Sequence, residues 1–285
     1  MKKKSANPIF LFKTKADTLK QLIKLVKQSK IEKIYAFTVE EWQNSRITIL
    51  KHVSNSFNKK IIVRSSAVGE DSIISSEAGS YESILNVRPS SKREITSAIN
   101  SVISSYRTKN NTNQQNKILI QNQTLNVVIS GVIFTRTPDI GSPYFVINFE
   151  EGKLTTGVTK GNINNIVKIF RKTNPKLIPQ KWTRLIISVK EIEKIVNSDK
   201  LDIEFGVTKN NQVVIFQVRP LTSIKKKSKN ISDRDISKIV LKSKKQFKKL
   251  NNPVHVSGNT TIFSDMADWN PAEIIGNNPN LLDYS

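Results

Sequence analysis

The segment LDIEFGVTKNNQVVIFQVRP (residues 201–220) consists of two β-rich runs that flank the dipeptide Asn210-Asn211. Asparagine tolerates the positive backbone φ angles of a tight turn, and β-branched and aromatic residues favour strands. The segment therefore predicts an antiparallel hairpin with a two-residue turn, in which Lys209 pairs with Gln212. All later pairs follow from that first one, because residues pair one by one along the two strands.

This register places four polar side chains on one face of the hairpin. Glu204 pairs with Gln217 and Asp202 with Arg219, and alternate residues along a strand point to the same side. The opposite face is apolar and is predicted to join the core. Its residues are Ile203, Phe205, Val207, Val214, Phe216 and Val218.

Two carboxylates, an amide oxygen and a guanidinium on one face could hold a metal ion. Mg²⁺ prefers hard oxygen ligands, takes a few of them from the protein and completes its shell with phosphate oxygens and water. Arg219 next to such ligands would suit a polyphosphate bound to the metal. The alternative is a solvent-exposed strand pair with one salt bridge across it, and the hairpin alone does not decide between the two.

A second candidate site lies at IVRSSA (residues 62–67), where Arg64 ends an apolar run and small hydroxyl residues follow. Strand ends that open into such loops often bind phosphate through backbone N–H groups and arginine. The alternative is a surface arginine beside an ordinary loop. The chain has no P-loop, because Val158 stands where the nearest match would need lysine, and it has no GxGxxG motif.

The rest of the chain interleaves predicted helices with predicted strands, which indicates an α/β or α+β domain. The first forty residues predict a helix, capped by Thr14 or Asp17 and reaching Gln28, and then a strand. Further predicted helices cover residues 92–107 and 189–197. Predicted strands cover residues 59–64, 83–87, 118–121, 127–134, 144–149, 201–208 and 213–219. Residues 225–250 are strongly basic on a helix-compatible pattern, for which a solvated linker helix is preferred to an anion-binding arm.

The net charge of +23 has two explanations. A basic chain can bind nucleic acid or an acidic membrane, but its lysines are spread along the chain and far outnumber the arginines that nucleic-acid modules concentrate. Genome composition is therefore the preferred explanation, and no nucleic-acid partner is expected. No apolar run is long enough to span a membrane and no signal peptide is recognisable, so a cytoplasmic protein is expected.

Four segments, in order, resemble the phosphoenolpyruvate synthase and pyruvate phosphate dikinase family, the first three its ATP-binding domain and the fourth a segment that some longer members carry after that domain. They are IIVRSSAVGEDSIISSEAGSYESILNV (61–87), SGVIFTRTPDIGSPYFVINF (130–149), residues 201–222, and FSDMADWNPAEIIG (263–276). The resemblance implies an α+β, ATP-grasp-like domain at residues 1–224, with lobes at about 1–117 and 118–224. A basic helical linker (225–250) and a short, truncated C-terminal segment (251–285) would follow.

The resemblance also implies ATP and Mg²⁺ as cofactors and gives roles to named residues. Arg64 and Arg219 would hold phosphates and serve the transfer. Glu204 and Gln217 would ligate the metal, and Asp202 would support it.

Two further positions match the family's nucleotide site. Lys15 lies where the family has its N-terminal phosphate-binding lysine, although the glycines that usually surround that lysine are absent in KTKA (residues 13–16). Gln121 matches the hinge strand near the adenine.

The family passes phosphate through a histidine in a Thr-Ser-His motif on a separate domain. This chain has two histidines, His52 and His255, and neither matches that motif. The resemblance therefore implies a phosphotransferase that is incomplete alone and phosphorylates a histidine on a partner protein or domain. The final acceptor stays open, because the family acts on pyruvate, glucans and small drugs. A non-catalytic nucleotide-binding remnant with a regulatory or assembly role is the alternative, and a nucleic-acid binder that uses residues 225–250 ranks last.

Overall fold

The structure is a computed structural model that describes residues 10–69, 82–152, 165–222 and 232–249. The chain divides into two compact units, residues 1–230 and 231–285. The described residues of the second unit form a helix, from Asp233 to Lys249, inside the stretch predicted to be a basic helix. The segment 263–276, His255 and residues 70–81 of the first matched segment lie outside the described residues.

The first lobe is an antiparallel sheet with two helices packed on one of its faces. Its strands are β1 (Ile34–Thr38), β2 (Ile61–Ser66), β3 (Ser83–Val87) and β4 (Lys117–Asn122), in the order β1-β4-β2-β3. The helices are α2 (Val39–Ser56) and α3 (Lys92–Thr108). Val63 and Ile120 of the sheet pack with Val53 of α2 and Ile99 of α3 in one core cluster. Burial of that apolar face is what holds the lobe together.

The second lobe is a five-stranded antiparallel sheet with one helix packed on it. Its strands are β5 (Val127–Phe134), β6 (Tyr144–Glu151), β7 (Asn165–Phe170), β8 (Leu201–Thr208) and β9 (Val213–Pro220), in the order β7-β6-β5-β8-β9. Helix α4 (Gln180–Val196) buries Trp182, Leu185 and Val189 against Ile133 and Phe205 of the sheet.

Helix α1 (Lys15–Leu22) comes first in the chain, yet its apolar residues join the core of the second lobe. Ala16, Leu19 and Leu22 belong to the same core cluster as β8 and β9. The chain after α1 also adds to the edge of β9, because the Lys30 N–H donates to the Val213 carbonyl at 2.8 Å. The first lobe is therefore inserted between two parts of the second.

The predicted α+β class with two lobes is confirmed, and most predicted elements are present. Three differ. Helix α1 was expected to reach Gln28 but ends at Leu22, because the chain must turn to lay Lys30 along β9. Helix α4 begins nine residues earlier than predicted, at Gln180, and β7 was not predicted, since Ile169 is its one buried residue. No helix in the described part of the chain is long and apolar enough to cross a bilayer.

Candidate functional site

The hairpin of β8 and β9 has the two polar pairs that the sequence predicted. Asp202 is opposite Arg219 and Glu204 is opposite Gln217. The predicted two-residue turn is nevertheless wrong. The Thr208 N–H donates to the Gln212 carbonyl at 3.0 Å, so the loop has three residues, 209–211. Asn211 takes the positive φ of 57° that ends such a loop.

A β-bulge in β9 restores the register before the polar pairs. Phe205 is opposite Ile215 while Glu204 is opposite Gln217, so Phe216 is an extra residue on its strand. The longer loop shifts the pairing by one residue, and the bulge shifts it back. Two deviations from the simple hairpin therefore cancel at Glu204 and Asp202.

The bulge also changes which residues of β9 face the core, and here the prediction was wrong. Val213 and Ile215 join the core cluster in place of Val214 and Phe216. Phe216 is half-buried, and its ring lies over Gly206 on the polar face of the hairpin. A Cβ added at Gly206 would come within 2.7 Å of the Phe216 Cζ atom. An aromatic ring therefore stands beside the polar cluster.

Arg64 connects the first lobe to this hairpin. Its Nη2 atom is 3.0 Å from Glu204 Oε2, and its Nη1 atom donates to the Phe216 carbonyl at 3.2 Å. In the hairpin itself, Arg219 donates to Asp202 Oδ2 from Nε at 2.8 Å and from Nη2 at 2.6 Å. The cleft between the two sheets thus holds a polar cluster, which consists of Arg64, Asp202, Glu204, Gln217 and Arg219.

The two carboxylates of the polar cluster have opposite pKa shifts. Burial raises the pKa of Asp202, and the charge of Arg219 only partly offsets that effect. Burial would also raise the pKa of Glu204, but the charges of Arg64 and Lys15 outweigh it, so its pKa is lowered. Glu204 is therefore ionised at neutral pH, and Asp202 is the more readily protonated of the two.

The polar cluster has oxygen atoms that fit a divalent cation. No group of three or more His, Cys, Asp and Glu side chains converges among the described residues, so the donors are two carboxylates and the Gln217 amide. Asp202 Oδ1 is buried and has no hydrogen-bond partner in the described parts of the chain. A buried carboxylate oxygen normally has a partner, and a metal ion or its bound water would supply one.

Lys15 belongs to the same cluster. It is the first residue of α1, it is 5% exposed, and its charge acts on the pKa of Glu204. The Ala16 N–H donates to Ser66 Oγ at 2.9 Å, and the Ser66 N–H donates to Tyr106 Oη at 2.8 Å. The first of these bonds fixes the beginning of α1 against the end of β2, two residues after Arg64, and the second fixes Ser66 itself against α3.

Gln121 lies on the same face of the first sheet as Arg64, but farther towards the second lobe. Leu119 is opposite Arg64 in the β2–β4 pair, and Gln121 is two residues further along β4. Gln121 is 1% exposed, and neither its Oε1 nor its Nε2 atom has a hydrogen-bond partner in the described residues. The structure therefore brings six of the seven predicted site residues into one cluster and leaves Gln121 beyond it in the cleft.

Sequence reasoning missed some residues of the cleft. Phe216 was assigned to the wrong face, because a bulge leaves no signal in an alternating pattern. Ser66 binds the beginning of α1 and Tyr106 binds Ser66, and neither is close in sequence to any polar cluster residue except Arg64. Ser130 could have been found, since it alternates with Val132 and Phe134 on a strand whose other face is apolar.

A family model described as the pyruvate phosphate dikinase AMP/ATP-binding domain matches residues 14–183, more than half of the chain. The chain belongs to this family. The match to the pyruvate phosphate dikinase domain covers Lys15, Arg64 and Gln121 and ends before the β8–β9 hairpin. It confirms the family resemblance found in the sequence and supports nucleotide binding.

Solved structures that resemble the chain share little sequence with it. VanG D-Ala:D-Ser ligase from Enterococcus faecalis matches 79% of this chain and 57% of its own, at 10% identity and a TM-score of 0.44. The D-alanine–D-alanine ligase from Coxiella burnetii matches 83% of this chain and 59% of its own, at 10% identity and a TM-score of 0.41.

The dinucleotide-forming acetyl-coenzyme A synthetase 1 from Ca. Korarchaeum cryptofilum matches 73% of this chain and 91% of its own, at 11% identity and a TM-score of 0.44. The chain spans under two thirds of the length of both ligases. At these TM-scores the likenesses bear on neither activity nor substrate. No curated protein sequence matches the chain.

Proposed function

We propose that this domain binds Mg²⁺-ATP in the cleft between its lobes and transfers a phosphoryl group to a histidine on another domain or protein. The observation that carries the proposal is the contact of Arg64 with Glu204, which joins the two lobes at a cluster that also holds Lys15 and Arg219. Three cations and two carboxylates from distant parts of the chain converge there. Phosphoryl transfer depends on positioning and on neutralising phosphate charge, which is what such a cluster offers.

Each residue of the polar cluster has a proposed role. Lys15, Arg64 and Arg219 would bind phosphate oxygens, for which a guanidinium gives two parallel hydrogen bonds. Glu204 and Gln217 would hold Mg²⁺, and Asp202 would support it. When bound, the metal would neutralise phosphate charge.

The existing ion pairs indicate how metal and nucleotide would bind together. Arg64 is paired with Glu204, and Arg219 with Asp202. A phosphate that takes an arginine removes that arginine from its carboxylate, and a metal that takes a carboxylate removes that carboxylate from its arginine. Each ligand would therefore favour the other, because a buried charge without a partner is costly.

Gln121 and Phe216 would serve the base. The Gln121 amide has one acceptor and two donors without partners in the described residues, which suits the edge of a purine. The Phe216 ring lies on the cleft face and could pack against the base.

The accepting histidine would come from elsewhere. His52 is exposed on α2, and its ring lies 4.2 Å from that of Tyr35 on the first lobe. It is not part of the polar cluster, and His255 does not match the carrier motif. The partner is therefore a domain or protein with a phosphorylatable histidine.

Calorimetry on the full chain tests the binding. We expect Mg²⁺-ATP to bind, and removal of Mg²⁺ with EDTA to weaken ATP binding. Glu204→Gln removes an anionic metal ligand and should lower Mg²⁺-ATP affinity by about tenfold or more, or about 1.4 kcal/mol. It should lower the affinity for ATP in EDTA much less.

Lys209→Ala is the matched control, because Lys209 is exposed in the loop of the same hairpin. We expect that variant to keep the wild-type affinity. Absence of metal-dependent ATP binding at millimolar nucleotide would refute the proposal. Binding without transfer to any histidine-bearing partner would instead favour the non-catalytic alternative.

A further inference from the structure

The polar cleft face of the second sheet continues beyond Glu204 onto β5 and β6. Ser130 of β5 is opposite Gly206 on one side and Glu150 of β6 on the other. Asn148 lies two residues before Glu150 on β6. Because alternate residues share a face, Ser130, Asn148 and Glu150 lie on the same face as Glu204.

Two of these three side chains have buried oxygen atoms that find no hydrogen-bond partner in the described part of the chain. Ser130 is 6% exposed, and its Oγ atom has no hydrogen-bond partner in the described residues. The same holds for Asn148 Oδ1. Most buried polar atoms in proteins are hydrogen-bonded, so these two atoms call for an explanation. Together with the Glu150 carboxylate they form a group of acceptors, which a ligand with hydroxyl donors would satisfy.

This acceptor group (Ser130, Asn148 and Glu150) lies between the polar cluster and the hinge that joins the lobes. The hinge is the segment 123–126, between β4 and β5. The Ser130–Gly206 pair is two pairs nearer the β8–β9 loop than the Val132–Glu204 pair, and diagonal neighbours such as Ser130 and Glu204 are about 7–8 Å apart. The loop contacts the hinge, because the Lys209 N–H donates to the Asn126 carbonyl at 2.9 Å. Gln121 is the last residue but one of β4, the strand that leads into that hinge. A nucleotide with its base at Gln121 and its phosphates at the polar cluster has its sugar in between.

We infer that Ser130, Asn148 and Glu150 form a subsite for the 2′- and 3′-hydroxyls of the ribose. The inference rests on the proposed Mg²⁺-ATP site and adds a sugar specificity to it. The Ser130 hydroxyl and the oxygen atoms of Asn148 and Glu150 accept from the two ribose hydroxyls. A deoxynucleotide leaves one of those acceptors buried without a donor, which costs affinity. The domain is therefore selective for ribonucleotides.

The test compares Mg²⁺-ATP with its 2′-deoxy and 3′-deoxy analogues by calorimetry on the full chain. We expect the wild-type protein to bind at least one analogue about fivefold more weakly than ATP, the effect of about one hydrogen bond. Ser130→Ala and Asn148→Leu should each weaken ATP binding by a similar factor. In those variants the ratio of ATP to deoxy-ATP affinity should fall towards one.

Ser97→Ala is the matched control, because it deletes an exposed hydroxyl on α3 of the first lobe. It should keep the wild-type ratio. The ratio is measured within one preparation, so a partly unfolded variant still reports it. Equal binding of ATP and both analogues to the wild-type protein overturns the subsite and leaves the Mg²⁺-ATP site standing.

Two further outcomes would also overturn the ribose subsite. A wild-type preference for ATP that survives unchanged in both variants places sugar recognition elsewhere and overturns the inference. Failure of the wild-type chain to bind Mg²⁺-ATP at all overturns the proposed function, and the subsite with it.

Discussion

At the scale of single residues, Phe216 gives the clearest test of the bulge. Phe216→Ala should lower the free energy of unfolding by less than about 1.5 kcal/mol, because the ring is half-buried on the cleft face. Phe205→Ala, on the partner strand, should cost about 3–5 kcal/mol, because Phe205 is fully buried in the core. Urea denaturation of both variants measures the difference. The opposite order would mean that Phe216 faces the core and that the bulge is absent.

The residue pairs of the hairpin were predictable, but for an incomplete reason. The expected two-residue turn and an unbroken β9 give the same partners for Glu204 and Asp202 as the observed three-residue loop and bulge. Between the loop and the bulge the longer loop alone sets the register. The prediction there placed Phe216 in the core, whereas the structure places Ile215 there. A bulge depends on how the sheet twists and packs, and a single strand's alternation does not record it.

At the scale of elements, Ser66 couples helix α1 to strand β2. Lys15→Ala should weaken Mg²⁺-ATP binding, and Ser66→Ala should do so too, because the Ala16 N–H loses its acceptor and α1 is released. The loss of Mg²⁺-ATP binding free energy in the double variant should be smaller than the sum of the two single losses, by about 0.5 kcal/mol or more. Both changes remove the same positioned ammonium group. Calorimetry on the four proteins of this cycle gives the coupling.

Ser54→Ala serves as the control for that cycle. Ser54 Oγ donates to the Pro89 carbonyl at 2.9 Å, so its loss also removes a bond from a side-chain hydroxyl to the backbone of the first lobe. It should lower stability without changing Mg²⁺-ATP affinity. Strict additivity of Lys15→Ala and Ser66→Ala would mean that Ser66 does not position Lys15.

The attachment of α1 to β4 should depend on pH. Lys117 Nζ lies 2.6 and 2.8 Å from the two Asp17 carboxylate oxygens. Burial would raise the pKa of Asp17, but the bonds from Lys117 and Thr14 outweigh it and lower the pKa below its usual 3.8. The folded state thus favours the ionised form. Its stabilisation is complete above the unfolded pKa and is lost as the pH falls through the lower folded pKa.

Asp17→Asn makes that dependence measurable. The melting temperature of the variant should lie below the wild-type value at pH 7, and the gap should narrow as the pH is lowered towards 3. Both groups are about a quarter exposed, so we expect about 1 kcal/mol at most at pH 7. A gap that stays constant from pH 7 to pH 3 would contradict the assignment.

Element boundaries were predicted less well than element types. Thr14 and Asp17 were the two predicted caps of α1, and the structure shows that Thr14 is the cap, since its side chain accepts from the Asp17 N–H. The end of α1 was not predictable, because it is set by the pairing of Lys30 with β9 almost two hundred residues later in the chain. The cleft itself depends on such distant contacts, and Arg64 with Glu204 is another.

At the scale of the whole molecule, we predict that the purified chain alone makes no phosphoenolpyruvate from pyruvate and ATP. It has two histidines in 285 residues, and neither stands in a carrier motif. A coupled assay for phosphoenolpyruvate, with the chain as sole protein, checks this. Product above a no-enzyme control would mean that a residue of this chain carries the phosphoryl group.

The insertion of the first lobe into the second has a consequence for the order in which the chain folds on the ribosome. The core of the first lobe is built from residues 37–120, so it is complete soon after they emerge. Leu19 and Leu22 leave the tunnel earlier but must wait for β8 and β9 to complete their core. At about 5–20 residues per second, that wait lasts roughly 10 to 40 seconds. In the later part of that wait, the apolar face of the nascent α1 is exposed to chaperones although the first lobe, which follows α1 in the chain, is already complete.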